Sequence, residues 1–173
     1  MYRTPILILK QTALGVCKTS KCFNLDTFAP LHIAVLSGNF ELFQYLFDNS
    51  IEKNPSDNLG TTPFHCAAYK GHLEICRKYL ENKIDKNLTN NLGWTALHKA
   101  ASEGHFKVCR LLLESQVDKN LRTNTCKTPI HLAVLEGCAE VCKLLLEYQI
   151  EKNLTDQNGK PAIHYAAERR NLD

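Results

Sequence analysis

Residues 61–80 read TTPFHCAAYKGHLEICRKYL, and the word TPFHCAA within them recurs along the chain with small changes in spelling. The related words are APLHIAV from Ala29, TALHKAA from Thr95, TPIHLAV from Thr128 and PAIHYAA from Pro161. Each word contains one histidine, and consecutive histidines are 33 residues apart: His32, His65, His98, His131 and His164. A fixed period of this size is the sequence signature of a protein built from stacked repeats.

Each repeat has the pattern of a pair of short helices. Thr62 can cap the first helix, Pro63 suits its first position, and Gly71 can adopt the left-handed conformation that ends it. A second helix follows, with an apolar stripe along one face. The residues of this stripe are Leu73, Cys76 and Leu80. Because so small a helix pair cannot bury its own apolar face, the pairs must stack on one another to form a core.

The composition fits one ordinary globular domain. The chain has 173 residues, 44% of them hydrophobic, and a formal net charge of +3 from 21 basic and 18 acidic residues. The charges are interspersed, so they indicate no basic patch and do not favour a nucleic-acid partner. The longest apolar run near the start, residues 6–9, is too short for a membrane span or a signal peptide, so we predict no membrane partner.

The repeated motif resembles the ankyrin repeat: T-P-L-H-x-A-A, then G-H, a helix with LLLE and a loop with D-x-x-G. The resemblance covers residues 24–173 and implies an all-α solenoid of stacked helix-turn-helix units with extended loop or β-hairpin tips. The predicted units are 24–56, 57–89, 90–122, 123–155 and a partial fifth unit, 156–173. Thr27, Ala29 and Cys126 depart from the motif, so we expect distorted turns in repeats one and four.

The two ends of the chain fit the repeat less well. Residues 1–23 carry no TPLH word, and we interpret them as a degenerate N-terminal cap helix, with a disordered or non-native leader as the alternative. At the other end, residues 169–173 align with residues 70–74, so the chain stops where the second helix of repeat five should begin. Either the natural protein continues, or the array ends without a polar cap.

The resemblance implies that the TPLH histidines are structural, each hydrogen-bonded to the loop backbone of the adjoining repeat. His72 and His105 recur at the same period and take the same interpretation. Cys76, Cys109 and Cys142 occupy one position on successive second helices, beyond the roughly 7 Å reach of a disulfide. We therefore predict buried free thiols and a reducing compartment, the cytoplasm, with the nucleus as the alternative.

Other reactive sites find little support in the sequence. A redox pair or a metal site stays an alternative at Cys138 with Cys142, and at Cys17 with Cys22 in the leader. The stretch GVCKTS, residues 15–20, lacks the glycine that precedes the lysine of a phosphate-binding loop. We predict no catalytic, cofactor-binding or metal-binding residues, and no enzyme activity.

The resemblance implies a protein-binding scaffold, because ankyrin arrays resemble one another in that role. A solenoid presents an extended concave surface formed by its loop tips and first helices. We predict a non-catalytic adaptor that binds a protein or peptide on this surface, and we expect a monomer. The alternatives are a regulatory fragment of a larger enzyme, channel or ubiquitin-ligase adaptor, a nucleic-acid-binding protein, and a redox protein whose cysteines lie in residues 1–23.

In the ankyrin family, the residue before the capping threonine and the two residues before the helix-ending glycine face the concavity. Several of these positions are apolar or aromatic here. They are Phe28, Leu36, Tyr69, Trp94 and Leu135. The sole tryptophan stands at a loop tip where the core does not require it, so we expect Trp94 and Tyr69 to anchor the partner. The alternative is that these side chains only pack over neighbouring loops.

Two loop asparagines form a separate candidate site. Asn120 and Asn153 follow Leu112 and Leu145 by eight residues, which resembles the site that asparaginyl hydroxylases modify on ankyrin loops. The alternative is that each asparagine hydrogen-bonds its own turn. Hydroxylation of these two residues is the modification that the sequence predicts.

Overall fold

The computed structural model describes residues 29–170, which form four helix pairs and one final helix. The predictions for residues 1–23, Thr27 and Phe28 lie outside this range. The first helices of the repeats are α1 (Pro30–Ser37), α3 (Pro63–Lys70), α5 (Ala96–Ser102), α7 (Pro129–Leu135) and α9 (Ala162–Arg170). The second helices are α2 (Phe40–Asn49), α4 (Leu73–Glu81), α6 (Phe106–Glu114) and α8 (Ala139–Glu147).

A capping box starts three of the first helices. At the start of α3, Thr62 Oγ1 accepts the backbone N–H of His65, and His65 Nδ1 accepts the backbone N–H of Thr62 at 3.2 Å. Thr95 and Thr128 begin α5 and α7 with the same arrangement. Ala29 has no side chain that can do this, and α1 begins without a side-chain cap.

Glycine ends the first helix of repeat two for two reasons. Gly71 has a φ of +72°, in the left-handed region, and its N–H closes the last turn of α3. A Cβ at this position would also lie 2.6 Å from the His105 ring of the next repeat. The space and the backbone conformation therefore both exclude a larger residue.

The turn of repeat four is not distorted, contrary to the expectation from its missing glycine. Cys126 has a φ of 60°, and its N–H donates to the Thr123 carbonyl at 2.8 Å. Gly93 donates the equivalent bond to Asn90 at 2.9 Å. Cys126 thus keeps the geometry of the turn by adopting a conformation that is unfavourable for a non-glycine residue.

The core lies between neighbouring repeats, where first helices pack on first helices and second helices on second helices. The buried face of α4 differs from the predicted stripe: Cys76 is buried with Ile75 and Tyr79, whereas Leu73 and Leu80 are only partly buried. The ring of Tyr79 packs against three aromatic rings with centroid distances of 5.1–5.5 Å. These rings belong to Phe43, Phe47 and Phe64.

The loop tips are joined by single backbone hydrogen bonds from one repeat to the one before it. The N–H of Asn91 donates to Leu59, and the N–H of Asn124 donates to Leu92. Within residues 29–170 no strand forms, and an isolated antiparallel bridge joins Thr155 to Pro161. The architecture is an all-α solenoid with extended tips, as predicted.

Candidate functional site

The TPLH histidines position the loop tips, as the sequence predicts. His65 Nδ1 accepts a backbone N–H, so the proton is on Nε2, which donates to the carbonyls of Leu88 and Trp94, each at 3.0 Å. His98 Nε2 donates in the same way to the backbone carbonyl of Lys127, at 3.2 Å. Burial disfavours the charged ring and lowers the pKa of His65 and of His98 to about 4. These imidazoles are therefore structural donors at neutral pH.

A histidine of repeat three forms a hydrogen bond with the first helix of repeat two, α3. His105 Nε2 lies 2.8 Å from the carbonyl oxygen of Tyr69. His65 of repeat two in turn holds the carbonyl of Trp94. The backbones of Tyr69 and Trp94 are thus fixed on adjacent repeats by buried or half-buried histidines, which gives their side chains a defined relative position.

Tyr69 and Trp94 are half-buried and share a lysine. The Lys99 ammonium lies 4.6 Å from the centroid of the Trp94 ring and 5.8 Å from that of the Tyr69 ring. A second ammonium, that of Lys70, lies 5.5 Å from the centroid of the Tyr69 ring. Both distances to Lys99 fall within the range of cation–π attraction. We call Tyr69, Trp94 and Lys99 the aromatic–lysine cluster.

Lys99 was not among the residues predicted from the sequence, although the sequence contains a signal for it. It stands in the variable position of the T-x-L-H-x-A-A motif. The equivalent residues of repeats two and four are Cys66 and Leu132, which are 0% and 7% exposed. A charged residue at a position that is apolar in the other repeats indicates that this position is partly exposed in repeat three.

The other two predicted contact residues that the structure describes, Leu36 and Leu135, differ in their exposure. Leu36 is 2% exposed and belongs to the core, so the prediction that it faces the concave surface is wrong. Leu135 is half-buried at the end of α7, and its carbonyl accepts a hydrogen bond from Arg169. Phe28 lies outside the described residues.

The cysteine column is made of free thiols in the structure. Cys76 and Cys109 are fully buried, and burial raises the pKa of both, to about 12 for Cys109. Cys142 is only half-buried, which differs from the prediction, because repeat five supplies no second helix among the described residues to cover it. Residues 29–170 contain no group of three potential metal ligands and no helix long and apolar enough to span a membrane.

The two candidate modification sites differ from each other. Asn120 does not bond its own turn through its side chain: its Oδ1 accepts the backbone N–H of Glu151, in the next repeat, at 3.0 Å. Asn153 occupies the equivalent position one repeat later and is exposed. Hydroxylation of Asn120 and Asn153 stays a prediction.

Comparison with known sequences identifies the family. The family model described as ankyrin repeats (3 copies) matches residues 7–90, 31–123, 71–156 and 119–173. No curated protein sequence matches the chain significantly. Since the overlapping family matches extend over most of the chain, the chain belongs to the ankyrin repeat family.

Proposed function

We propose that the chain is a non-catalytic scaffold that binds a protein or peptide partner on its concave face. Ankyrin repeats are generally protein–protein interaction modules, and the family is typically non-catalytic. The observation that carries the proposal is the half-buried aromatic–lysine cluster. Tryptophan and tyrosine in partly desolvated positions dominate the energetics of many interfaces.

The chemistry of the cluster favours a particular kind of contact. Its rings supply apolar area, and the ammonium groups of Lys70 and Lys99 lie beside the Tyr69 ring. A partner that combines an apolar side chain with a nearby carboxylate would match both features. We therefore propose an acidic segment with an apolar anchor. The free thiols of Cys76 and Cys109 support a reducing compartment, which we propose to be the cytoplasm.

A photo-crosslinking amino acid tests the location of the binding surface. We expect it to capture the partner when it replaces Tyr69, and not when it replaces Tyr45. Tyr45 is a matched control, because it is an aromatic residue of helix α2 that is 68% exposed.

Truncation of the cluster tests its energetic role. Trp94→Ala should weaken the complex with the captured partner by about 2 kcal/mol or more. The fold should change little, because the hydrogen bond from His65 is made to the backbone carbonyl of residue 94 and survives the substitution. Tyr45→Ala should leave the affinity unchanged. If the double change of Trp94 and Tyr69 to alanine keeps both the affinity and the melting temperature, the concave site is wrong.

A further inference from the structure

Three successive repeats present the residue two positions before the first helix in the same way. These residues are Trp94, Lys127 and Lys160, and we call them the tip row. The backbone carbonyl of each lies within hydrogen-bond distance of the TPLH histidine of the preceding repeat, at 3.0, 3.2 and 3.2 Å. Because the same contacts hold each backbone, the three side chains leave the array at corresponding places on adjacent repeats.

The backbone groups of the tip row are already paired within their own turns. The N–H of Trp94 donates to Asn90 Oδ1, and its carbonyl accepts the N–H of Asn90, each at 3.0 Å. Lys127 forms the same two bonds with Thr123, at 3.1 and 2.9 Å. A partner strand therefore cannot add to this edge through main-chain hydrogen bonds, and recognition along the tip row depends on side chains.

The two lysines of the tip row differ in what their ammonium groups contact. Lys160 Nζ donates to Glu168 Oε1 at 2.6 Å. Within residues 29–170, the half-buried Lys127 forms no side-chain hydrogen bond, ion pair or cation–π contact. The nearby carboxylate of Asp156 is 4% exposed, and its Oδ1 accepts two backbone N–H groups of its own turn. Lys127 is thus available to an acidic group from outside, one repeat away from Trp94.

The spacing of the repeats matches the rise of a polyproline II segment. The first helices of adjacent repeats pack on each other, and packed helices lie about 8–10 Å apart. A polyproline II segment has three residues per turn and rises about 3.1 Å per residue, so side chains at i and i+3 point the same way about 9 Å apart. A β-strand directs these two side chains to opposite faces, and an α-helix needs about seven residues to cover the distance. Polyproline II also needs no main-chain partner, and segments of this conformation dock on aromatic side chains.

We infer that the partner segment binds along the tip row in the polyproline II conformation, with an apolar residue on Trp94 and Tyr69 and a carboxylate three residues away at Lys127. This inference rests on the proposed function and specifies the conformation and spacing of the acidic segment. Prolines within the segment lower the entropy cost of binding, because their rings fix φ near the value of this conformation. The negative charge belongs beside the tip row only, since the exposed Glu103 and Glu136 at the ends of α5 and α7 repel carboxylates placed there.

Three labelled proline-rich peptides of identical composition test the spacing. Each has one leucine and one glutamate among prolines: glutamate three residues after leucine, three residues before it, or two residues after it. Fluorescence anisotropy titrations use the full chain in reducing buffer. The tighter of the two peptides with a spacing of three should bind saturably and about tenfold or more tightly than the peptide with a spacing of two. The comparison between the first two peptides shows the direction of the bound segment.

A charge reversal tests the position of the carboxylate. Lys127→Glu should weaken binding of the tighter peptide about tenfold or more, and lysine in place of the peptide's glutamate should restore it. Lys107→Glu is the matched control, because Lys107 is exposed on second helix α6 and forms no ion pair within the described residues. Circular dichroism melts of both variants separate lost binding from lost folding. Glutamine in place of the peptide's glutamate gives the same test on the unchanged chain, and should also weaken binding.

Three outcomes would overturn the inference: no saturable binding of either peptide with a spacing of three, equal affinity for both spacings, or equal affinity of the wild-type chain and a folded Lys127→Glu variant. If a peptide binds without these preferences and is lost from Trp94→Ala, only the conformation and spacing are wrong, and the proposed function stands. If binding persists when Trp94 and Tyr69 are both alanine, the proposed binding surface is wrong as well. Photo-crosslinking at Tyr69 tests the proposed function independently of these peptides.

Discussion

Cys126 stores strain in a turn that is otherwise like its neighbours. A left-handed conformation costs a non-glycine residue about 1–2 kcal/mol, and glycine loses about 0.5–1 kcal/mol of chain entropy on folding. With a φ of 60° at Cys126, we therefore expect Cys126→Gly to raise the free energy of unfolding by about 0.5–1 kcal/mol. Urea denaturation measures this. Cys126→Ala keeps the strained backbone and should not stabilise the protein; equal stabilisation by both changes would contradict the argument.

The sequence predicts single residues well where the repeat motif itself sets their environment. The hydrogen bond from His65 to the adjoining loop follows from the motif, and the structure confirms it. The burial of Leu36 and the placement of Lys99 between two rings depend on packing across repeats, where this chain departs from its own period. The sequence of a single repeat does not predict such contacts.

At the scale of helices, α9 should be the least stable of the first helices. Helix α5 is packed between α3 and α7, whereas α9 packs on α7 with Ile163 and Ala167 exposed. Stability in a repeat array is close to a sum of repeat and nearest-neighbour terms, so a missing neighbour weakens mainly the end helix. We expect amide hydrogen exchange in residues 161–170 to be faster than in residues 95–103. Equal protection in dilute protein would show that another surface covers α9.

The helix pairs themselves could be predicted from the sequence, and their packing only in part. Capping threonine and terminal glycine define α3 correctly. The buried face of α4 was predicted less well, because Tyr79 enters the core through contacts with aromatic rings such as Phe43 and Phe47 of the preceding repeat. The 33-residue period places Tyr79 in register with Leu112, which is fully buried, but tyrosine is a residue type of intermediate burial, so its type alone did not indicate a core position.

At the scale of the whole molecule, the histidines connect the repeats into an array that depends on pH. His32, His65, His98 and His131 each hold the loop that follows in the next repeat. Burial lowers the pKa of all four below the ordinary value of 6.5. In His65, His98 and His131, a proton on Nδ1 would also remove the acceptor for the threonine N–H that starts the helix. Protonation of these rings therefore destabilises the stacked structure.

Acid should destabilise the array between about pH 6.5 and pH 4. In this window the unfolded chain binds protons that the folded chain does not bind. The free energy of unfolding therefore has its full value above pH 6.5 and decreases as the pH falls below it. With a folded pKa of about 4, His65 and His98 should each contribute a loss of about 3 kcal/mol. Urea denaturation at pH 7.5, 5.5 and 4.5 measures this, and His98→Gln should lower stability at pH 7.5 while flattening the pH dependence. A stability that does not change between pH 7.5 and 4.5 would contradict the role given to the histidines, because a neutral ring is what each interface between repeats requires.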